Sequence, residues 1–320
     1  MVVQKNKDWS GRLFVDGLDA YRAYGIFVLD GGYKSVVQMP SFKKLDSTEW
    51  KEYDGIEVDL TSPALDVRKV QIEFGITDVS GIERLVMDLS DGAYHTFHFV
   101  ELGRSYRLRL TQNDSIDSYV RLGKMKLTFS DDFPDIVNTA PSAEPYPEIK
   151  QRSYELDDVD FSRFGVWVLD GTDDSVRKIP QVREALSTNK SKQSGVVYDP
   201  QSVHYKAKDA TIKCLIHATS IEDFWQRYES LFALLTQPDE REFYFKPLDK
   251  TFACYYKSSS IGKFKILNNG RVWCEFNVVL CFTGDGLIPE AMYALLLAES
   301  GEYITLEDGE TKIRILPKNQ

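Results

Sequence analysis

Apolar and polar residues alternate along most of the chain in short runs, the period of strands that bury one face. The clearest run spans residues 24–32: Tyr24, Gly25, Ile26, Phe27, Val28 and Leu29 lead into Asp30, Gly31 and Gly32. Val, Ile and aromatics opened by glycine and closed by Asp-Gly read as a buried strand ending in a tight turn. The run returns at residues 164–172, where Phe164, Gly165, Val166, Trp167, Val168 and Leu169 precede Asp170, Gly171 and Thr172. Tyr24 and Phe164 lie 140 positions apart, and that displacement makes the whole chain a test for internal repetition.

At the same displacement Ser35 and Val36 match Ser175 and Val176, Pro40 matches Pro180, and Asp54 and Gly55 fall on Ser194 and Gly195. Residues 69–73 match 209–213. A displacement of 146 pairs residues 97–99 with 243–245 and Tyr106 with Phe252, and one of 153 pairs Phe129 and Ser130 with Phe282 and Thr283. Growth in small steps is expected of two diverged copies, because turns absorb length changes that strands do not.

Each half carries one helix signal. Ser80 with Glu83 has the spacing of a capping box, and Ile82, Leu85, Val86 and Leu89 form one apolar stripe. Ser220 with Asp223 repeats the cap, and Ile221, Phe224, Trp225, Tyr228, Phe232 and Leu235 extend the stripe; at helical spacing this is a face laid against a sheet. Strands follow at 96–100 and 106–110, then at 242–246 and 251–256, and each half closes on a strand at 124–130 or 272–283. Residues 56–60 alternate Ile, Val and Leu with Glu57 and Asp59, a half-buried strand. The preceding residues 41–55 and their counterpart 181–195 read as long exposed loops.

The expected fold is mainly β (α+β): two tandem antiparallel β-sandwich or barrel domains, each with one flanking α-helix. Their boundaries are 12–133 and 153–286, separated by a Pro-rich linker at 134–152 that reads as semi-rigid and extended. Residues 287–320 form an appendage, with a short helix over 289–299 and a hairpin whose strands, 303–307 and 312–316, flank Asp308 and Gly309.

Composition narrows the function. The 320 residues suffice for two cores. The net charge of −10 argues against general affinity for nucleic-acid phosphates. No apolar run approaches a membrane span, and the first residues lack the apolar core of a signal peptide. The four cysteines lie in strand-like runs without Cys-x-x-Cys spacing, which reads as reduced thiols in a core and synthesis in a cytoplasm.

Candidate chemistry is sparse. No phosphate loop occurs. His95 and His98 point to opposite faces of one strand and so do not share a metal. Residues 170–174 look in passing like a calcium loop but lack the distal Glu. The expectation is therefore no catalytic residue, no cofactor and no metal, and a binding or structural role. The alternatives are a carbohydrate-binding β-sandwich with Trp9, Trp50 or Tyr53 as stacking platforms, and an enzyme whose site is assembled from loops.

The order of elements resembles the tail-tube fold of long-tailed bacteriophages, closest to the distal tail protein and baseplate hub group. The likeness rests on residues 24–32, the alternating strand at 54–60 and the helix-then-hairpin block at 79–110, which includes Leu89, Ser90, Asp91 and Gly92. It covers both halves, although a usual distal tail protein carries one such domain followed by a different module. The resemblance implies a virion structural protein that self-assembles into a ring around the DNA channel and contacts other tail proteins, with DNA passing through unbound. It places Lys43, Lys44, Trp50, Tyr53, Arg183, Lys190 and Lys192 on inter-subunit loops. Glu57 and Asp59 would either line the channel or form outer surface. Two such domains per chain favour three chains in a pseudo-hexamer, with the linker bridging neighbours, over a ring of six chains.

Overall fold

The computed structural model describes residues 9–118, 123–183, 187–188, 191, 194–198, 204–284, 294–295 and 314–315. The chain is mainly β, built of antiparallel sheets. In the first half a seven-stranded sheet comprises β1 (Leu13–Val15), β2 (Leu18–Asp19), β3 (Ile26–Val28), β6 (Arg68–Ile76), β7 (His95–Phe99), β8 (Arg104–Ser118) and β9 (Gly123–Asp131), in the order β2-β1-β7-β8-β9-β6-β3. A separate ribbon pairs β4 (Ser47–Thr48) with β5 (Glu57–Val58). The helices are α1 (Ala20–Tyr24), α2 (Lys34–Val37) and α3 (Val79–Leu89).

The second half draws the same diagram. Its strands are β10 (Tyr154–Leu156), β11 (Val159–Asp160), β12 (Trp167–Val168), β15 (Lys208–Ala218), β16 (Arg241–Phe245), β17 (Lys250–Ile266) and β18 (Val272–Phe282). They lie in the order β11-β10-β16-β17-β18-β15-β12, with a ribbon of β13 (Ser187–Thr188) and β14 (Val197–Tyr198) alongside. A 3-10 turn over Phe161–Phe164 stands where α1 stands, followed by α4 (Thr172–Arg177) and α5 (Ile221–Leu235). Alternation drives both sheets: along β15, Ala210, Ile212, Cys214, Ile216 and Ala218 are all buried while the residues between them are not.

Strand register corrects one sequence alignment. Phe129 pairs with Val70, and Leu280 pairs with Ala210, the counterpart of Val70. The last strands are therefore displaced by 151, and Phe129 corresponds to Leu280 rather than Phe282. Both apolar runs look alike by composition, but a two-residue slip keeps the same face inward and leaves no trace in the pattern.

Helix starts are also corrected in part. The cap of α3 is Asp78, whose Oδ1 accepts from the Ser80 N–H and hydroxyl. Ser220 does cap α5, accepting from the Asp223 N–H at 3.2 Å, while Asp223 Oδ2 accepts from the Thr219 N–H at 2.8 Å.

The linker is not a free spacer. It lies against the second half, with Ile149 buried, Tyr146 N–H bonded to Ser162 O, and Arg227 stacked 3.8 Å over the Tyr146 ring. In the appendage, Ala294–Leu295 pairs with Arg314–Ile315, so residues 294–295 are strand and not the expected helix. The rest of that helix and the hairpin turn lie outside the described residues. The four cysteines are free and buried, and burial pushes the Cys281 thiol up to about 11. Among the described residues no helix is long and apolar enough to cross a membrane.

Candidate functional site

The two halves share one apolar core, and a seam of backbone and side-chain bonds joins them. The first half offers the end of α2 and the loop that follows. Gln38 Nε2 donates to Ser259 O at 2.9 Å, and Pro40 O accepts from the Tyr256 hydroxyl at 2.9 Å. The Phe42 ring meets Tyr256 edge-on at 5.8 Å. Further along, Gly55 N–H bonds Tyr205 O, and Ile56 N–H bonds Thr283 O. Gly55 has φ +77, and a Cβ there would lie 1.8 Å from Thr283 O, so glycine alone permits this approach.

The second half answers with β17, the base of its own long loop, and α5. Trp225 Nε1 donates to Leu102 O at 2.8 Å, Arg104 pairs with Glu229 at 2.8 Å, and Arg104 stacks over Trp225. Burial raises the Glu229 carboxyl above its ordinary value, partly offset by Arg104. The seam is thus heterologous: the surface used by one half differs from that used by the other.

A groove of about 1300 Å³ opens beside the seam. Its walls carry Asp46, Trp50, Tyr53, Asp54, Glu57, Asp59, Asp239 and Glu240. Trp50 is 52% exposed and its Nε1 donates to Glu57 at 2.8 Å, which pins the ring. Tyr53 is 68% exposed. Asp59 accepts from the Thr61 hydroxyl and N–H, and these bonds hold its carboxyl below the ordinary value.

The structure therefore joins two sets of residues that the sequence kept apart, the loop aromatics Trp50 and Tyr53 and the acids Glu57 and Asp59. Residues 56–60, expected as one strand, contribute only Glu57–Val58 to the β4–β5 ribbon. Lys43 and Lys44 are exposed at the base of the loop. Lys190 and Lys192 lie outside the described residues. Arg183 is placed differently from its expectation: it is buried, its Nη2 donates to Gly55 O, and its Nη1 faces Glu49 at 3.4 Å. A cation in a polar loop reads as exposed, but here it holds the tip of the other half's loop.

Sequence reasoning missed two matched cation sites. Arg68 donates to the Val36 and Gln38 carbonyls and pairs with Asp131 at 2.6 Å. Lys208, at the equivalent place, donates to the Val176 and Lys178 carbonyls, and Phe282 replaces the acid, with the ammonium 5.2 Å from its ring. Likewise Asp16 and Asp157 both adopt positive φ and accept from Thr96 N–H and Glu242 N–H. Their second oxygens hold His95 and Arg241 respectively, at 2.6 and 2.8 Å. The changes of residue type hid these pairs. The calcium-like stretch is the start of α4, where Thr172 is buried and Asp173 accepts from the Tyr154 hydroxyl. Among the described residues no cluster of His, Cys, Asp or Glu has metal-holding geometry.

No protein-family model matches the chain, and no curated protein matches it. Among solved structures it is similar to the Dit (gp 19.1) protein of phage SPP1, described as a paradigm of the hub adsorption apparatus in Gram-positive infecting phages. The identity is 10%, the match covers 85% of this chain and 98% of that one, and the TM-score is 0.31, too low for the two folds to count as one.

Proposed function

We propose that this chain is a non-catalytic structural subunit of a bacteriophage tail, at the distal end where the tube meets the host-adsorption apparatus. In this reading residues 12–133 and 153–286 are two copies of one domain, and both enter a ring that surrounds the DNA channel. The observation that carries it is the repeated seven-stranded sheet, joined copy to copy by a heterologous seam. Head-to-tail contacts of this type close into rings when the rotation permits. Among the described residues β2, β3, β11 and β12 are the short edge strands of the two sheets, and a ring would place neighbours beside them.

Glu57 and Asp59 then present negative charge that repels the phosphate backbone and lets DNA slide. Cofactors and metals have no part in the role, and the partners are further copies of the chain and neighbouring tail proteins. Electron microscopy of the purified protein tests this: rings with six similar lobes are expected, and scattered single particles contradict it.

A second reading, a glycan-binding groove, is favoured by the pinned and exposed Trp50 ring beside Tyr53. It is distinguished by oligosaccharide titration followed through Trp fluorescence, in which Trp50→Ala abolishes any signal.

A further inference from the structure

By the repeat, each half has positions equivalent to both surfaces of the seam, and among the described residues the chain joins one surface of each half. The first half presents Phe42 and Ile56 to the second half, and Phe42 is buried there. Their counterparts at the 140-residue displacement are Val182 and Val196. These are apolar side chains 57% and 52% exposed, where Phe42 is buried.

The receiving surface is duplicated in the same way. Tyr256 pairs with Leu280 across β17 and β18, as Leu110 pairs with Phe129 across β8 and β9, so Leu110 is the counterpart of Tyr256. Tyr256 is fully buried at the seam, whereas Leu110 is only partly buried, packed against the core on one side. Arg183, which donates to Gly55 O, has exposed Lys43 as its counterpart, and Gly55 has Gly195. The helices differ in the same sense. Most of α5 is buried, including Trp225 and Glu229 at the seam, while α3 leaves Met87 75% exposed.

We propose that a second copy of this chain docks here: Val182, Gly195 and Val196 of one copy meet Leu110 and Lys43 of the next, repeating between chains the seam already made within each. The inference rests on the ring-subunit reading and adds the contact that would build it. Val182 would meet Leu110 as Phe42 meets Tyr256, and the Lys43 ammonium would reach the Gly195 carbonyl as Arg183 reaches that of Gly55. The occupant is a second copy because the two free surfaces are versions of two that already fit one another. They are also on one chain, and a head-to-tail contact needs no other partner.

Cysteine cross-linking tests it. Val182→Cys with Leu110→Cys is expected to give covalent multimers on non-reducing gels under mild oxidation, and neither single variant should. Background from the native thiols is low because all four are buried. A companion variant, Val182→Arg, is expected to weaken self-association at least about tenfold, at unchanged melting temperature where the protein is monomeric, since the side chain is exposed within one chain. If the wild-type protein assembles but the double variant does not cross-link, this interface is wrong and the ring-subunit reading stands. A wild-type protein that remains a monomer at every concentration overturns both.

Discussion

At the scale of residues, the paired cations give the sharpest tests. The His95 ring lies between Asp16 at 2.6 Å and Asp91 at 3.1 Å, with the apolar Leu108 across the strand pair. Burial alone would lower its pKa, but the hydrogen bonds to both carboxylates outweigh burial and raise it. A cation held more firmly in the folded state stabilises fully below the unfolded value, about 6.5, and that contribution is lost as pH rises through the raised folded value. Wild-type stability relative to His95→Gln is therefore expected to fall across this window, read from urea midpoints. A difference that does not change with pH contradicts it.

Lys208 has the opposite sign. Burial, with a smaller contribution from Lys250, lowers its pKa to about 8, well under the ordinary 10.5. Between these values the unfolded chain binds a proton that the folded chain lacks, so stability rises with pH. Lys208→Met should remove that rise, and a wild-type and variant pair with parallel profiles would show the ammonium is not strained. Arg68, by contrast, has Asp131 beside it, and both side chains are about nine-tenths buried. Arg68→Ala strands that carboxylate and is expected to cost about 3–5 kcal/mol, measured by denaturant unfolding.

Among elements, the seam depends on how close two backbones come at Gly55. Gly55→Ala combines a left-handed φ with a clash against Thr283 O, and should cost at least about 2 kcal/mol. Gly195→Ala shares the positive φ but meets nothing within 4 Å in the single chain, so at dilutions where the protein is monomeric the difference between the two variants isolates the seam within the chain. Equal unfolding midpoints would mean that the loop tip does not dock.

What was legible in the sequence follows from the same elements. The strand that opens each half was visible because Gly25 and Gly165 both end a helical turn at φ near +67 and +69, a conformation other residues resist. Helices and hairpins were visible through their periods. The seam was not, because its bonds run largely to backbone carbonyls at Pro40, Gly55 and Leu102, which no side-chain pattern records. The burial of Arg183 was hidden for the same reason. Of the candidate site, Trp50, Tyr53, Glu57 and Asp59 were each singled out by type, but their convergence on one groove needed the β4–β5 ribbon.

At the scale of the whole molecule, the internal seam either continues between chains or ends within each. The linker is fastened to the second half through Tyr146, Glu148 and Ile149, and in the proposed ring both halves of each chain take part. Three chains then supply six domains. Native mass spectrometry of the assembled protein measures this directly. Three chains of 36.6 kDa, a particle of about 110 kDa, are expected. A particle of six chains, about 220 kDa, or a lone 36.6 kDa chain at all concentrations, contradicts the account.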